Sequence, residues 1–408
     1  MTAIYPRLSL LMFLQFFVWG SWFVTLGAFL AHNLQASGVE SGMAFSTQSW
    51  GAIAAPFFIG LIADRYFNAE RLLGLLHLVG AGLMFLLFQA GSFDGFYPLL
   101  LAYMICYMPT LALVNAISFR QITDTTAQFG KIRVWGTVGW IAAGLAISYL
   151  FAWDSQQGVA DGRLRNTFVL AGLASALLGA YSFTLPKTPP LAMGGARANL
   201  RDLLGADAMA LFRDKNFAIF FLMSILICIP LAFYYQYASP FLIEIGVENA
   251  TGKMTLGQVS EVGFMLLLPV FLGRFGIKLT LLIGMLAWVV RYGLFAYGDA
   301  GELVFMLVVG IALHGVCYDF FFVAGQIYTD SKAGLQYRSS VQGLITLATY
   351  GVGMLIGFST AGYIADQYSL VDIERWQSIW TFPAIFALVV AIIFIASFRD
   401  QLPASESR

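Results

Sequence analysis

Charged residues are scarce in this sequence. Only 11% of its 408 residues are Asp, Glu, Lys or Arg, whereas 59% are hydrophobic. A soluble domain carries roughly 25% charged residues, because a large apolar core needs a charged shell to cover it. The composition therefore excludes a soluble globular protein and predicts an integral membrane protein. Lys and Arg together number 22, as do Asp and Glu, so no basic excess suggests nucleic-acid binding.

Cysteines are few, and the common enzyme motifs are absent from the sequence. Cys106, Cys228 and Cys317 lie far apart inside apolar runs, which argues against a disulfide framework or a zinc site. No Gly-x-x-x-x-Gly-Lys-[Ser/Thr], His-Glu-x-x-His or Gly-x-Ser-x-Gly pattern occurs, so neither ATP binding through a Walker loop nor hydrolytic chemistry is indicated. We expect no enzyme activity and no cofactor, and any transport should draw its energy from an ion gradient.

Long apolar runs fill most of the chain. A membrane-spanning helix needs about 20 mostly apolar residues, and twelve such runs can be read. The longest charged interruption divides them into six and six. We predict an all-α protein with an N-terminal bundle at 1–185, a cytoplasmic linker at 186–216 and a C-terminal bundle at 217–408. The predicted spans are 8–31, 46–64, 71–91, 95–119, 132–153, 166–185, 217–243, 256–273, 278–298, 302–328, 338–365 and 376–398.

The loops between these spans differ in charge. With the N-terminus inside, sixteen Lys and Arg residues fall on the cytoplasmic side and four on the opposite side. Cytoplasmic loops of membrane proteins carry an excess of Lys and Arg. Both termini and the central linker are therefore predicted to be cytoplasmic.

The loop between the second and third predicted spans reads GLIADRYFNAER, from residue 60 to 71. It resembles the Gly-x-x-x-Asp-Arg signature of the major facilitator superfamily, and GRFGIK, from residue 273, stands at the equivalent place in the second half. The resemblance implies that Asp64 and Arg65 brace the ends of neighbouring helices. Repeated bundles with a substrate site near the bilayer midplane are typical of secondary transporters.

Arg133 lies within the fifth predicted span. It is followed by Thr137 and Trp140 at spacings i+4 and i+7, which places all three on one helical face. A cation, a hydroxyl and an aromatic surface suit a ligand that carries polar oxygens and a flat ring. The alternative is that Arg133 extends to the cytoplasmic interface while Trp140 only packs.

The eighth and tenth predicted spans contain carboxylates. Gln258 and Glu261 are spaced i, i+3, and together they can bind vicinal hydroxyls, unless the helix begins later and Glu261 is interfacial. Asp319 is farther from the ends of its span than any other carboxylate. Because burial disfavours the charged form, Asp319 can exchange a proton, although it could instead be a structural partner for Arg291. His314 forms the adjacent stripe with Tyr318 and could serve either ligand binding or packing.

Several segments in both halves resemble the nucleoside:proton symporter family of the major facilitator superfamily. They are FLQFFVWGSWFVTLG, YMPTLALVNAISF, RVWGTVGW, QVSE, AWVVRYGLFAYGD and YDFFFVAG. The resemblance implies nucleoside uptake driven by a proton gradient through alternating access.

The same resemblance suggests a role for each candidate residue. It assigns Arg133, Thr137 and Trp140 to the nucleoside pocket. Gln258 and Glu261 would contact ribose, while Asp319, with Tyr318 beside it, would couple transport to protons. His314 replaces a pocket tyrosine of the family, and Tyr235 stands where the family carries a base-reading amide.

We therefore predict a proton-coupled nucleoside importer of a bacterial inner membrane, with nucleoside, proton and lipid as its partners and a monomer as the functional unit. Asp319 is the preferred proton site, although Glu261 could exchange or share that role. Two alternatives stay open: a proton-coupled sugar or polyol symporter, and a membrane receptor that binds its ligand without moving it.

Overall fold

The computed structural model describes residues 4–58, 67–123, 125–190, 206–368 and 374–399. Regular structure in these ranges is entirely helical, which confirms the predicted all-α class. Asp64 and Arg65 lie outside the described residues.

Fifteen α-helices are described, separated by turns and by short π- and 3-10-helical segments. The α-helices are α1 Ile4–Gly20, α2 Leu26–Asn33, α3 Gly38–Phe58, α4 Ala69–Gln89, α5 Phe93–Gln121, α6 Thr125–Leu145, α7 Gln156–Ala160, α8 Asn166–Ser182, α9 Lys215–Glu244, α10 Ala250–Tyr297, α11 Val304–Ala312, α12 His314–Tyr318, α13 Ala324–Thr346, α14 Met354–Asp366 and α15 Arg375–Ser397. The π-helical segments are Ala146–Leu150, Asp319–Val323 and Leu347–Gly353, and the 3-10 segments are Arg163–Arg165 and Ala206–Arg213.

Eight helical stretches of the described chain are long and apolar enough to cross a membrane. They are Ala69–Gln89, Phe93–Gln121, Arg163–Ser182, Lys215–Glu244, Ala250–Tyr297, Val304–Ala333, Val341–Asp366 and Arg375–Ser397. Ile4–Gly20 is a shorter apolar helix. The chain is thus a multi-span membrane protein, and the number of twelve spans stays a prediction.

Two predicted spans, the first and the tenth, are interrupted in the structure. The first, 8–31, is interrupted after Gly20, where the hydroxyls of Ser21 and Thr25 donate to backbone carbonyls of the preceding turn. α10 runs through 48 residues but bends at Gly276, whose φ of 71° lies in the left-handed region; this bend lies between the predicted eighth and ninth spans. The tenth span is broken at Leu313, between α11 and α12. Short polar side chains and glycine permit such departures from a straight helix, and apolar content alone does not reveal the breaks after Gly20 and at Leu313.

The chain divides into two compact units. Unit 1 comprises Met1–Ala198 with Leu242–Thr255, and unit 2 comprises Asn199–Phe241 with Leu256–Arg408. In unit 1, α1 and α6 approach so closely that a Cβ on Gly139 would overlap the Phe13 carbonyl oxygen. Small residues allow such contacts between membrane helices.

Unit 1 contains a buried polar network. The imidazole of His77 lies 2.9 Å from Ser175 Oγ and 2.9 Å from Gln15 Oε1. Gln15 Nε2 donates to Thr110 Oγ1 at 2.7 Å, and the Tyr107 hydroxyl donates to the Gln15 carbonyl oxygen at 2.8 Å. These hydrogen bonds join α1, α4, α5 and α8. They provide partners for buried polar atoms, which lipid cannot hydrogen-bond.

Unit 2 is held by close helix contacts and aromatic packing. A Cβ on Gly357 would lie 2.7 Å from Ala232 Cβ, so α14 lies directly against α9. Tyr292 stacks on Trp380 with ring centroids 5.6 Å apart. Close contact and aromatic surface supply dispersion energy in a medium that offers no hydrophobic driving force.

Candidate functional site

On one side of the candidate site in unit 2, α12 begins after the helix interruption at Leu313 and packs against α10. The backbone N–H of Gly315, in α12, donates to Ser260 Oγ of α10 at 3.0 Å. A Cβ on Gly315 would lie 2.5 Å from the Ser260 carbonyl carbon and 2.6 Å from the Glu261 nitrogen. Glycine is therefore required at 315, and its absent side chain allows the backbone of Glu261 to pack directly against α12.

Asp319 begins the π-helical segment that follows α12. Its side chain is 0% exposed, and neither carboxylate oxygen has a hydrogen-bond partner within the described part of the chain. Glu261 is close enough to interact with it electrostatically. A buried, unpartnered carboxylate is costly when ionised, and a neighbouring acid adds repulsion. Both effects favour the protonated form of Asp319. π-Helical turns also recur at functional sites.

Two tyrosines lie within electrostatic range of Glu261. The hydroxyl oxygens of Tyr318 and Tyr350 lie 2.6 Å apart, and Tyr350 belongs to the π-helical segment before α14. Tyr235 of α9 and Tyr318 both interact electrostatically with Glu261. Four helices thus contribute to one group of oxygen atoms that can donate and accept hydrogen bonds.

Gln258 and His314 extend this group along α10 and α12. Gln258 is partly exposed, three residues before Glu261. A Cβ on Gly257 would lie 3.1 Å from His314 Cβ, so the two helices are also in contact one turn from Gly315. The His314 imidazole lies 3.2 Å from the guanidinium of Arg291.

The candidate residues of unit 1 lie on α6, against α1. Cζ of Arg133 stands 4.2 Å from the centroid of the Phe16 ring, a cation–π contact. Trp140 and Trp19 meet edge to face, with ring centroids 5.6 Å apart. Arg133, Thr137 and Trp140 are all partly exposed, so this face of α6 remains accessible.

The sequence is similar to known membrane transporters. A family model described as nucleoside H+ symporter matches residues 2–402. The chain belongs to this family. The putative nucleoside transporter YegT of Escherichia coli strain K12 is 44% identical over 97% of this chain and 94% of its own length. The xanthosine permease of the same strain is 36% identical over 97% and 96%, respectively.

A solved structure shares the fold of this symporter. The crystal structure of nucleoside transporter NupG superposes with a TM-score of 0.85 and 30% identity, over 98% of this chain and 100% of that one. The predictions of a membrane transporter of the nucleoside:proton symporter family, and of no enzyme, are confirmed. The site residues of this symporter stay predictions.

Three residues near the unit 2 candidates were not predicted: Ser260, Tyr350, and Tyr234, whose ring stacks on the His314 imidazole. Ser260 and Tyr350 were not predicted as site residues, because single hydroxyls within membrane helices usually join helices to one another. Tyr234 was not predicted because the family resemblance pointed only to the adjacent Tyr235. The packing of the helices brings these three residues close to the predicted site residues.

Proposed function

We propose that this symporter imports nucleosides together with protons by alternating access, and that Asp319 carries the coupled proton. The observation that carries the proposal is the buried carboxylate of Asp319, unpartnered among the described residues and within electrostatic range of Glu261. Ionisable groups at bilayer depth usually mark substrate or proton pathways. Protonation removes the charge that burial and Glu261 both oppose.

Glu261 is proposed as a sugar ligand. Its side chain is partly exposed, whereas that of Asp319 is fully buried, so Glu261 is the better placed of the two to meet a solute. A carboxylate accepts hydrogen bonds from both hydroxyls of a vicinal diol. The Gln258 amide can donate to the same oxygens.

Unit 1 is proposed to contribute Arg133, Thr137 and Trp140 to nucleoside binding. Their partial exposure on one face of α6 supports this role. The guanidinium and hydroxyl offer hydrogen bonds, and the indole offers a stacking surface for a base. Tyr235 is the proposed contact of unit 2 with the base.

The decisive experiment uses the full-length protein in proteoliposomes. Asp319→Asn should abolish accumulation of labelled uridine or adenosine under an imposed proton gradient, because the amide cannot release a proton. Counterflow, which needs no gradient, should persist.

Asp94→Asn is the matched control, since Asp94 is an exposed carboxylate in the first turn of α5. It should leave both activities intact. Full gradient-driven accumulation by Asp319→Asn would exclude Asp319 as the coupling site. Absence of any nucleoside accumulation by the wild type would refute the proposed function itself.

A sugar or polyol symporter is a second candidate, because Gln258 and Glu261 suit any vicinal diol. Competition assays separate the two. If nucleosides compete with labelled uridine and free ribose does not, the base is part of the ligand. A membrane receptor would instead bind nucleosides without accumulating them.

Twelve membrane spans, cytoplasmic termini, a bacterial inner membrane and action as a monomer complete the proposal. Support for the location comes from the apolar helices and the bacterial origin of the relatives.

A further inference from the structure

Arg291 is a fully buried cation in unit 2. Its side chain is 0% exposed, and its Cζ lies 3.4 Å from the centroid of the Tyr234 ring. The Nη1 atom lies 3.2 Å from Nδ1 of His314, whereas Nε and Nη2 have no hydrogen-bond partner in the described ranges. A guanidinium at bilayer depth is costly, so a function is expected for it.

Asp319 is not the partner of Arg291. Neither residue takes part in an ion pair among the described residues, and both carboxylate oxygens of Asp319 lack a hydrogen bond there. Full burial also prevents Arg291 from touching a solute directly. Arg291 must therefore act through its neighbours: its Nη1 lies within hydrogen-bond distance of His314 Nδ1, and Tyr234 and Cys317 also interact with it.

The Arg291–His314 hydrogen bond has only one possible direction. Arginine has five N–H donors and no acceptor, so Nδ1 of His314 must accept and must carry no hydrogen. The proton of the neutral imidazole is then on Nε2, which becomes a hydrogen-bond donor. In histidine, the bond made by one ring nitrogen sets the role of the other.

His314 is held among rings that suit a planar ligand. Its imidazole stacks on Tyr234 with ring centroids 5.4 Å apart and lies 5.8 Å from the Tyr318 ring. Unlike Arg291, it retains 4% exposure. A donor in aromatic surroundings fits the carbonyl oxygen of a nucleobase, which only accepts, better than a ribose hydroxyl.

We propose that Arg291 is a positioning residue that holds His314 as the Nε2–H tautomer, so that His314 donates a hydrogen bond to a carbonyl oxygen of the nucleobase. The inference rests on the proposed nucleoside transport and specifies how the base is recognised. The titratable and charged groups around His314 are Tyr234 on α9, Cys317 and Tyr318 on its own helix and Arg291 on α10.

The first test measures binding to the purified full-length protein at several pH values. The probes are two pairs of nucleosides in which an amino group replaces a carbonyl: uridine with cytidine, and inosine with adenosine. Arg291→Met keeps the volume of the side chain but removes its donors. It should weaken binding of the carbonyl member of at least one pair by about three- to tenfold relative to its partner, the scale of one neutral hydrogen bond.

Arg291→Met should also make binding more dependent on pH, because His314 is freed to accept a proton at Nδ1. Arg291→Lys restores a donor and should recover part of the preference. In a His314→Tyr background, Arg291→Met should leave the preference unchanged, since residues that act together are not additive. Arg274→Met, at an exposed arginine of the same unit, is the control and should change nothing.

The second test observes the tautomer directly. Nitrogen-15 NMR of histidine-labelled protein should show His314 with its hydrogen on Nε2, assigned by the signal lost in His314→Tyr. Arg291→Met should change that signature.

Three results would overturn the proposal: an Nδ1–H tautomer in the wild type, equal weakening of both members of each pair, or unaltered binding in Arg291→Met. Each is distinct from failure of the proposed function, in which the wild type would bind no nucleoside.

Discussion

Glu261 and Asp319 are two acidic residues in different surroundings. Asp319 is fully buried, and no described residue donates a hydrogen bond to it, whereas Glu261 is partly exposed among tyrosines. Pairs of titratable groups with contrasting environments commonly divide acid–base roles between them. The contrast favours proton binding at Asp319 and solute binding at Glu261.

Replacement of Glu261 by Gln tests this division at the level of the residue. The change keeps the shape of the side chain but removes the charge, so hydrogen bonds to ribose hydroxyls should weaken. A charge-assisted bond contributes about 1.5–3 kcal/mol, so the dissociation constant for uridine and adenosine should rise about 10- to 100-fold. Isothermal titration of the detergent-solubilised protein measures it.

Glu302→Gln is the control for this measurement, because Glu302 is an exposed carboxylate just before α11. It should bind as the wild type does. Normal binding of both nucleosides by Glu261→Gln would remove Glu261 from the ribose site.

The residue types themselves determined how much of the site could be predicted. Glu261 and Asp319 stood out because a charge in an apolar run is energetically anomalous. Ser260 and Tyr350 did not, since their partners lie more than 30 residues away, at Gly315 and Tyr318. Such contacts depend on helix packing, which the order of residues does not display.

At the level of elements, interruptions of helices shape the site. The break at Leu313 and the π-helical segments that contain Asp319 and Tyr350 all occur within runs that the sequence presents as uniformly apolar. A π turn depends on a local shift of backbone hydrogen bonds. Apolar content cannot reveal that shift.

Gly315→Ala should separate α12 from α10. The added methyl would lie 2.5 Å from the backbone of Ser260, and backbone cannot move aside as a flexible side chain can. Overpacking of this kind costs about 1–3 kcal/mol, so the thermal unfolding temperature should fall and nucleoside affinity should drop with it.

Gly263→Ala provides the comparison, because a Cβ at this position of α10 meets nothing within 4 Å. Its unfolding temperature should equal or exceed that of the wild type. An unchanged Gly315→Ala protein would show that the two helices are not in close contact.

Asp214 caps the start of α9. Its Oδ1 accepts from the Asn216 N–H at 2.8 Å, and its Oδ2 accepts from Lys332 Nζ at 2.9 Å. The hydrogen bond from Lys332 is the main reason that the pKa of this carboxyl lies below its usual value. A lowered pKa in the folded state stabilises the fold above the unfolded-state pKa, and this contribution disappears as pH falls through the folded-state pKa.

Asp214→Asn should therefore lower thermal stability at neutral pH. At a pH below the folded-state pKa of Asp214, the variant and the wild type should unfold at the same temperature. Asn retains capping ability, so the difference reports mainly on the Lys332 contact. Scanning fluorimetry at the two pH values measures it, and a difference independent of pH would contradict the ion-pair explanation.

At the level of the whole molecule, the charge bias of the loops predicts the orientation. Lys and Arg enrichment on one side predicts that both termini lie in the cytoplasm. Single cysteines at Asp299, expected outside, and Asp214, expected inside, should react oppositely with a membrane-impermeant thiol reagent applied to intact cells. The native cysteines Cys228 and Cys317 are buried, and replacement of all three by Ser provides the background. Labelling of Asp214→Cys from outside would reverse the predicted orientation.

The membrane class, the all-α architecture and the symporter family could be predicted from the order of residues, because hydropathy and motifs are local properties of the chain. The same order of residues drew attention to Glu261 and Asp319, since a charge in an apolar run is visible without a fold. The groups near these two carboxylates, and the contact between Arg291 and His314, became known from the packed helices. Those contacts join residues far apart in the chain, and the packing of helices, rather than composition, determines which ones meet.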